Sequence, residues 1–103
     1  MPGPASSPFR PNTAGTVTHA VTTTSSTPTA LVGSGSDLLV QNVGATECFY
    51  EQGTSAVTVS TSTGLPIPAG AILVIGRDKN TTHIVSITAA GTTTLRVTTG
   101  EGS

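Results

Sequence analysis

Asp37-Leu38-Leu39-Val40-Gln41-Asn42-Val43-Gly44 is the stretch on which the fold is decided. It is the densest apolar run in the middle of the chain, and it ends on a polar residue and a glycine. Residues 38–43 carry apolar side chains at both odd and even positions, the pattern of a strand covered on both faces. Asn42 and Gly44 suit a tight turn. A second β-prone run follows at once, Glu47-Cys48-Phe49-Tyr50-Glu51, with two of the three aromatic residues. The two runs read as the central hairpin of a small all-β domain. In the second run Cys48 and Tyr50 share one face, and Glu47, Phe49 and Glu51 share the other.

Toward the N-terminus, Gly33-Ser34-Gly35-Ser36 is a flexible connection and residues 29–32 form a short strand or edge. Ser25-Ser26-Thr27-Pro28 makes a turn, and residues 16–23 are the first strand. Toward the C-terminus, residues 56–60 alternate as a strand would, between loops at 52–55 and 61–64. Leu65-Pro66-Ile67-Pro68-Ala69-Gly70 has prolines two apart. They forbid a central strand and indicate an edge segment or a corner between sheets. Residues 71–75 are the most apolar run, and Gly76-Arg77-Asp78-Lys79-Asn80 is a charged turn. Residues 82–88 alternate again, and Ala89-Ala90-Gly91 turns the chain. In Thr94-Leu95-Arg96-Val97-Thr98, Leu95 and Val97 point inward and Arg96 outward.

This spacing gives a compact β-sandwich or β-barrel of seven to eight short antiparallel strands, wired by sequential hairpins. Four of the seven prolines, Pro2, Pro4, Pro8 and Pro11, fall in the first fifteen residues. The expected organisation is therefore an extended Pro-rich N-terminal arm over 1–15, a β-domain over 16–99 and a C-terminal tail over 100–103.

The 103 residues suffice for one domain. With no Trp, one Tyr and two Phe, the core rests on aliphatic side chains. The isolated subunit is expected to be modestly stable, with subunit contacts supplying the remainder. Charged residues make up 9% of the chain and the net charge is −1, which argues against nucleic acid as a partner. Thr and Ser hydrate this neutral surface, which also suits contact with protein. The single cysteine, Cys48, excludes an intrachain disulfide and reads as a small buried hydrophobe. The first residues lack the pattern of a signal peptide, and no run approaches ~18 apolar residues. The expectation is folding in a cytoplasm, with no membrane partner.

No catalytic constellation emerges. His19 and His83 have no spacing to Asp78 or Glu51 that demands a metal. Glu47 and Glu51 lie ~13 Å apart along a strand at ~3.3 Å per residue, beyond the separation of paired glycosidase carboxylates. Gly33-Ser34-Gly35-Ser36 lacks the Lys and following helix of a phosphate loop. No Ser sits in a nucleophile elbow. The reading therefore has no catalytic, cofactor or metal residues. The candidates for partner contact are Phe9, Arg10 and Pro11 in the arm, Pro66 and Pro68 at the edge, and Arg77 and Lys79 in the charged turn. That turn is otherwise a solvated tip.

The order of Leu39-Val40-Gln41-Asn42-Val43-Gly44, Phe49-Tyr50-Glu51-Gln52-Gly53, Gly64-Leu65-Pro66-Ile67-Pro68-Ala69-Gly70 and Thr94-Leu95-Arg96-Val97 resembles small tailed-bacteriophage virion proteins, most of all capsid decoration (cement) proteins. The likeness spans residues 37–99. It implies a non-enzymatic subunit on the exterior of an assembled capsid, bound to major capsid protein and to its own copies as a homotrimer. The runner-up is a tail, neck or fibre-associated domain. A glycan- or surface-binding β-sandwich is the reading from a different class.

Overall fold

The computed structural model describes residues 9–24 and 27–101. Among them eight strands form: β1 (Arg10–Val21), β2 (Thr29–Ala30), β3 (Asp37–Asn42), β4 (Cys48–Gly53), β5 (Leu65–Ile67), β6 (Ile72–Gly76), β7 (His83–Ile87) and β8 (Thr93–Glu101). They make two four-stranded sheets, ordered β1-β8-β3-β6 and β2-β7-β4-β5. Every neighbouring pair is antiparallel. Two separate sheets make this a sandwich and not a closed barrel. Eight strands in this order have the wiring of a jelly roll.

The expected wiring by sequential hairpins does not hold. Of the consecutive strands only β4 and β5 pair. The proposed central hairpin is divided between the sheets, with β3 between β8 and β6 and β4 between β7 and β5. The link between them is a crossover, and the Asn42 side chain pins it. Its Nδ2 donates to Thr46 O at 2.9 Å and Ile67 O at 3.0 Å. Its Oδ1 accepts from Gly44 N at 3.2 Å and from the Thr93 hydroxyl at 2.6 Å. One side chain, 1% exposed, thus joins β3, β5, β8 and the connection. Gly44 serves close approach, since a Cβ there would lie 2.0 Å from Thr93 Oγ1.

Period-two alternation directs the core. Leu38 and Val40 of β3, Leu95 and Val97 of β8 and Val21 of β1 face Cys48 and Tyr50 of β4, Ile67 of β5 and Ile84 of β7. Burying each large aliphatic side chain contributes about 1.5–3 kcal/mol relative to exposure. Leu95 and Val97 are buried and Arg96 is exposed, in line with the alternation of that segment.

Both chain-end boundaries move. The arm was expected to reach residue 15, but β1 begins at Arg10. Residues 12–15 form an enlarged bulge opposite Thr99, between the pairs Pro11↔Gly100 and Thr16↔Thr98. Ala14 takes a left-handed φ of 55° there. Asn12 Nδ2 donates to Ser34 O and, at 2.9 Å, to Thr99 Oγ1, while the Thr99 hydroxyl donates to Val32 O. Pro11 is tolerated because β1 is an edge strand. At the other end, Gly100 and Glu101 belong to β8, not to a tail. A Cβ at Gly100 would lie 2.2 Å from Arg10 O, so the pairing of the two ends requires glycine. Residues 1–8, the rest of the expected arm, and Ser25-Ser26 of the expected turn lie outside the described residues.

Candidate functional site

The same alternation that fills the core sends other residues to the outer faces of the two sheets, and the two faces differ. On the second sheet, Phe49, Glu51, Val85 and Ile87 point away from the core, since Phe49 pairs with Ile87 and Glu51 with Val85. The connection 54–64 lies across them. A Cβ at Gly53 would be 3.0 Å from Val57, and one at Gly64 would be 2.7 Å from both Phe49 and Val59. Val59 is buried, and Val85 is 0% exposed although it stands outside the main core cluster. Residues 56–60, expected as a strand, are therefore a loop that supplies this cover. Their alternation reflects one side chain in two being laid on a neighbour, without a ladder partner.

The outer face of the first sheet has no such cover among the described residues. Its β1–β8 half is hydroxyl-rich, with Thr16 and Thr98 side by side and their Oγ1 atoms 2.7 Å apart. Its β3–β6 half is apolar, with Leu39 opposite Val74 and Ile72 beside them. Ile72 is 62% and Val74 49% exposed. The most apolar run of the sequence thus forms an edge strand.

Among the described residues that edge is also open in its backbone. Asn42 N donates to Ala71 O and Arg77 N to Ser36 O, so residues 71 and 77 turn their peptide groups toward the β3 side. Antiparallel alternation then turns those of Ile72, Val74 and Gly76 outward. Of these, Gly76 O accepts Gln52 Nε2 at 3.1 Å from the facing sheet. The other three edges are blunted: β2 has two residues, β5 contains Pro66, and β1 carries Pro11 and the bulge.

The contact residues expected from sequence fall at two ends of the sandwich. Pro11, Gly100, Asp37 and Gly76 form one row across the first sheet. Phe9, Arg10 and Pro11 therefore share an end with Arg77 and Lys79, at opposite edges. Phe9 is half-buried with its ring tip toward Gly100, and Arg10 and Pro11 are exposed. Lys79 is exposed, whereas Arg77 is committed within the chain. Its Nε and Nη2 donate to Thr81 O at 3.1 and 2.9 Å, and its Nη1 to Gly33 O at 3.1 Å. Arg77 clamps two loops together. Pro66 and Pro68 are exposed at the other end, near Asn42, through the bond to Ile67 O. Sequence reasoning did not single out Leu39, Ile72 and Val74. Their apolar run was visible, but its place at an edge depends on the wiring.

The groups with intrinsic reactivity are buried. The Cys48 thiol is pushed up to about 11 by burial and then by Glu47, so it stays protonated and unreactive at neutral pH. Burial, and after it Glu51, raises Tyr50. His19 Nδ1 lies 2.6 Å from Thr29 Oγ1, and burial lowers its pKa. It ties β1 to β2 as a neutral ring. Among the described residues no three His, Cys, Asp or Glu side chains come together as a metal site. No known protein family matches the chain, and neither curated proteins nor solved structures give a match.

Proposed function

We propose that the chain is a structural virion protein without enzymatic activity, which binds the outer surface of an assembled phage capsid and stabilises it as a decoration subunit. The observation that carries this reading is the uncovered outer face of the first sheet. Among the described residues it is broad, carries Arg96 and Asp37 as its charges, and is apolar along one side, as suits a surface that lies against protein. The jelly-roll wiring agrees, because that architecture serves in viral capsid domains, although a fold alone does not assign a function.

The mechanism is mechanical. Each copy adds contacts to major capsid protein and to its own neighbouring copies. Rupture of the shell must then break those contacts too. Repetition on one lattice strengthens individually weak contacts through effective concentration.

The glycan-binding alternative calls for an aromatic ring free to stack on a sugar. Tyr50 is buried and Phe49 lies beside Gly64 under the 54–64 connection, which leaves Phe9. Fewer supports therefore favour it.

Purified chain added to undecorated shells tests the proposal. Saturable binding with higher heat resistance of the shell is expected. Thr18→Glu together with Thr94→Glu, on the bare face, should lower occupancy. A shorter test of the arm deletes residues 1–8, because β1 begins at Arg10. Unchanged occupancy after that deletion removes the arm from the mechanism, and no binding by the intact chain overturns the reading.

A further inference from the structure

We infer that a second copy of this chain pairs with the β6 edge, antiparallel and about a twofold axis at Val74, to make one continuous eight-stranded sheet. The inference needs no shell and is independent of the capsid reading.

Four observations converge on this occupant. First, Ile72 and Val74 turn their backbone groups outward from the edge, and another strand is the partner that satisfies such a row. Second, the side chains at this edge are apolar: Ile72 is 62%, Val74 49% and Leu73 36% exposed. Third, the register that centres Val74 on its own copy sets Ile72 opposite Gly76 of the second copy. A Cβ at Gly76 would meet nothing within 4 Å, so the bulk of Ile72 has space where its partner has no side chain. The Gly76 carbonyl that Gln52 already uses retains a second lone pair for the new ladder bond.

Fourth, charge selects the direction. β6 has no charged residue, but Arg77 and Lys79 follow it. In a parallel in-register pair each would stand beside its own copy, and like charges in that position destabilise. In the antiparallel pair Arg77 lies opposite Ala71 and Lys79 opposite Ala69, both neutral. The contact is isologous, so it closes at two copies and leaves no sticky edge to propagate. On the outer face the row Thr98-Leu39-Val74 of one copy continues into Val74-Leu39-Thr98 of the other, joining the two apolar strips at the axis.

The test is the native mass of the full chain by light scattering across a concentration series. The expected result is a shift from 10.2 kDa toward twice that mass as concentration rises. Val74→Lys and Val74→Asp should each be folded and monomeric, because each places like charges side by side at the axis. Mixed together, the two variants should recover the doubled mass, since the opposite charges then meet. A wild-type chain that stays monomeric or forms trimers overturns the inference. So does a doubled mass that persists in both single variants, or a mixture that remains monomeric.

Discussion

The two outer faces of the sandwich come from similar alternating strands and have opposite fates. On the second sheet, the 54–64 connection packs against Phe49, and Val85 on the same face is fully buried. On the first sheet, β6 is joined to its neighbours in sequence by shorter segments, and Ile72 and Val74 remain in contact with solvent. Two outward-facing valines on similar strands thus differ in burial, Val85 at 0% and Val74 at 49% exposed. Among the described residues one face is covered and the other is not.

The largest test of that contrast is to place the same charge on each face. Val85→Lys buries an unpaired ammonium and should cost about 3–5 kcal/mol. Val74→Lys, compared at a dilution where the chain is monomeric, should cost under about 1 kcal/mol, because an edge lysine stays hydrated. Denaturant titration of both variants measures the difference, and equal costs would show that the two faces do not differ in cover.

Somewhat smaller is the effect expected at the crossover that holds the faces in their relative places. Asn42→Leu keeps side-chain volume but strands the Thr46 and Ile67 carbonyls and the Thr93 hydroxyl. A loss on the order of 3 kcal/mol is expected, with faster amide exchange in β3 and β5 as the local signature.

The smallest effect concerns His19, which joins the two sheets beneath both faces. Its folded pKa lies below the unfolded value of 6.5 because burial disfavours the charged ring. The unfolded chain therefore binds the proton more readily. Its contribution to stability is complete above pH 6.5 and declines as pH falls from there toward the lowered folded value. Melting temperatures at pH 7.5 and 5.0 should differ by less in His19→Gln than in the wild type. An unchanged difference would assign the acid sensitivity elsewhere.

Local physics made much of the fold legible. The inward Leu95 and Val97, the buried Cys48 and the edge position of Pro66 follow from alternation and from the missing proline donor. Pairing was not legible, because alternation states which side of a strand is buried and not which strand lies beside it. Hence the 38–43 and 47–51 runs, adjacent in sequence, were read as a hairpin. The deciding interaction is the single Asn42 side chain, and an Asn before a Gly reads equally well as a turn. Residues 56–60 alternate without pairing for a related reason. At the chain ends, prolines and glycines suggested loose segments. The Asn12–Thr99 bonding and the Gly100–Arg10 approach that make strands of them span most of the chain length. Of the candidate site, the charged turn and the prolines were visible. The apolar strip of Leu39, Ile72 and Val74 emerges only once β6 is known to be an edge.

The position of β8 has a kinetic consequence. It lies between β1 and β3 and is the last of the described strands. As the chain leaves the ribosome, β3 can pair with β6, but β1 has no ladder partner until Thr93 and the residues after it are available. Closing the first sheet then joins residues most of the chain apart, a step that loop-closure entropy makes slow. The first sheet is therefore completed only when β8 is available, and until then the unpaired β1 is exposed to association with other nascent chains.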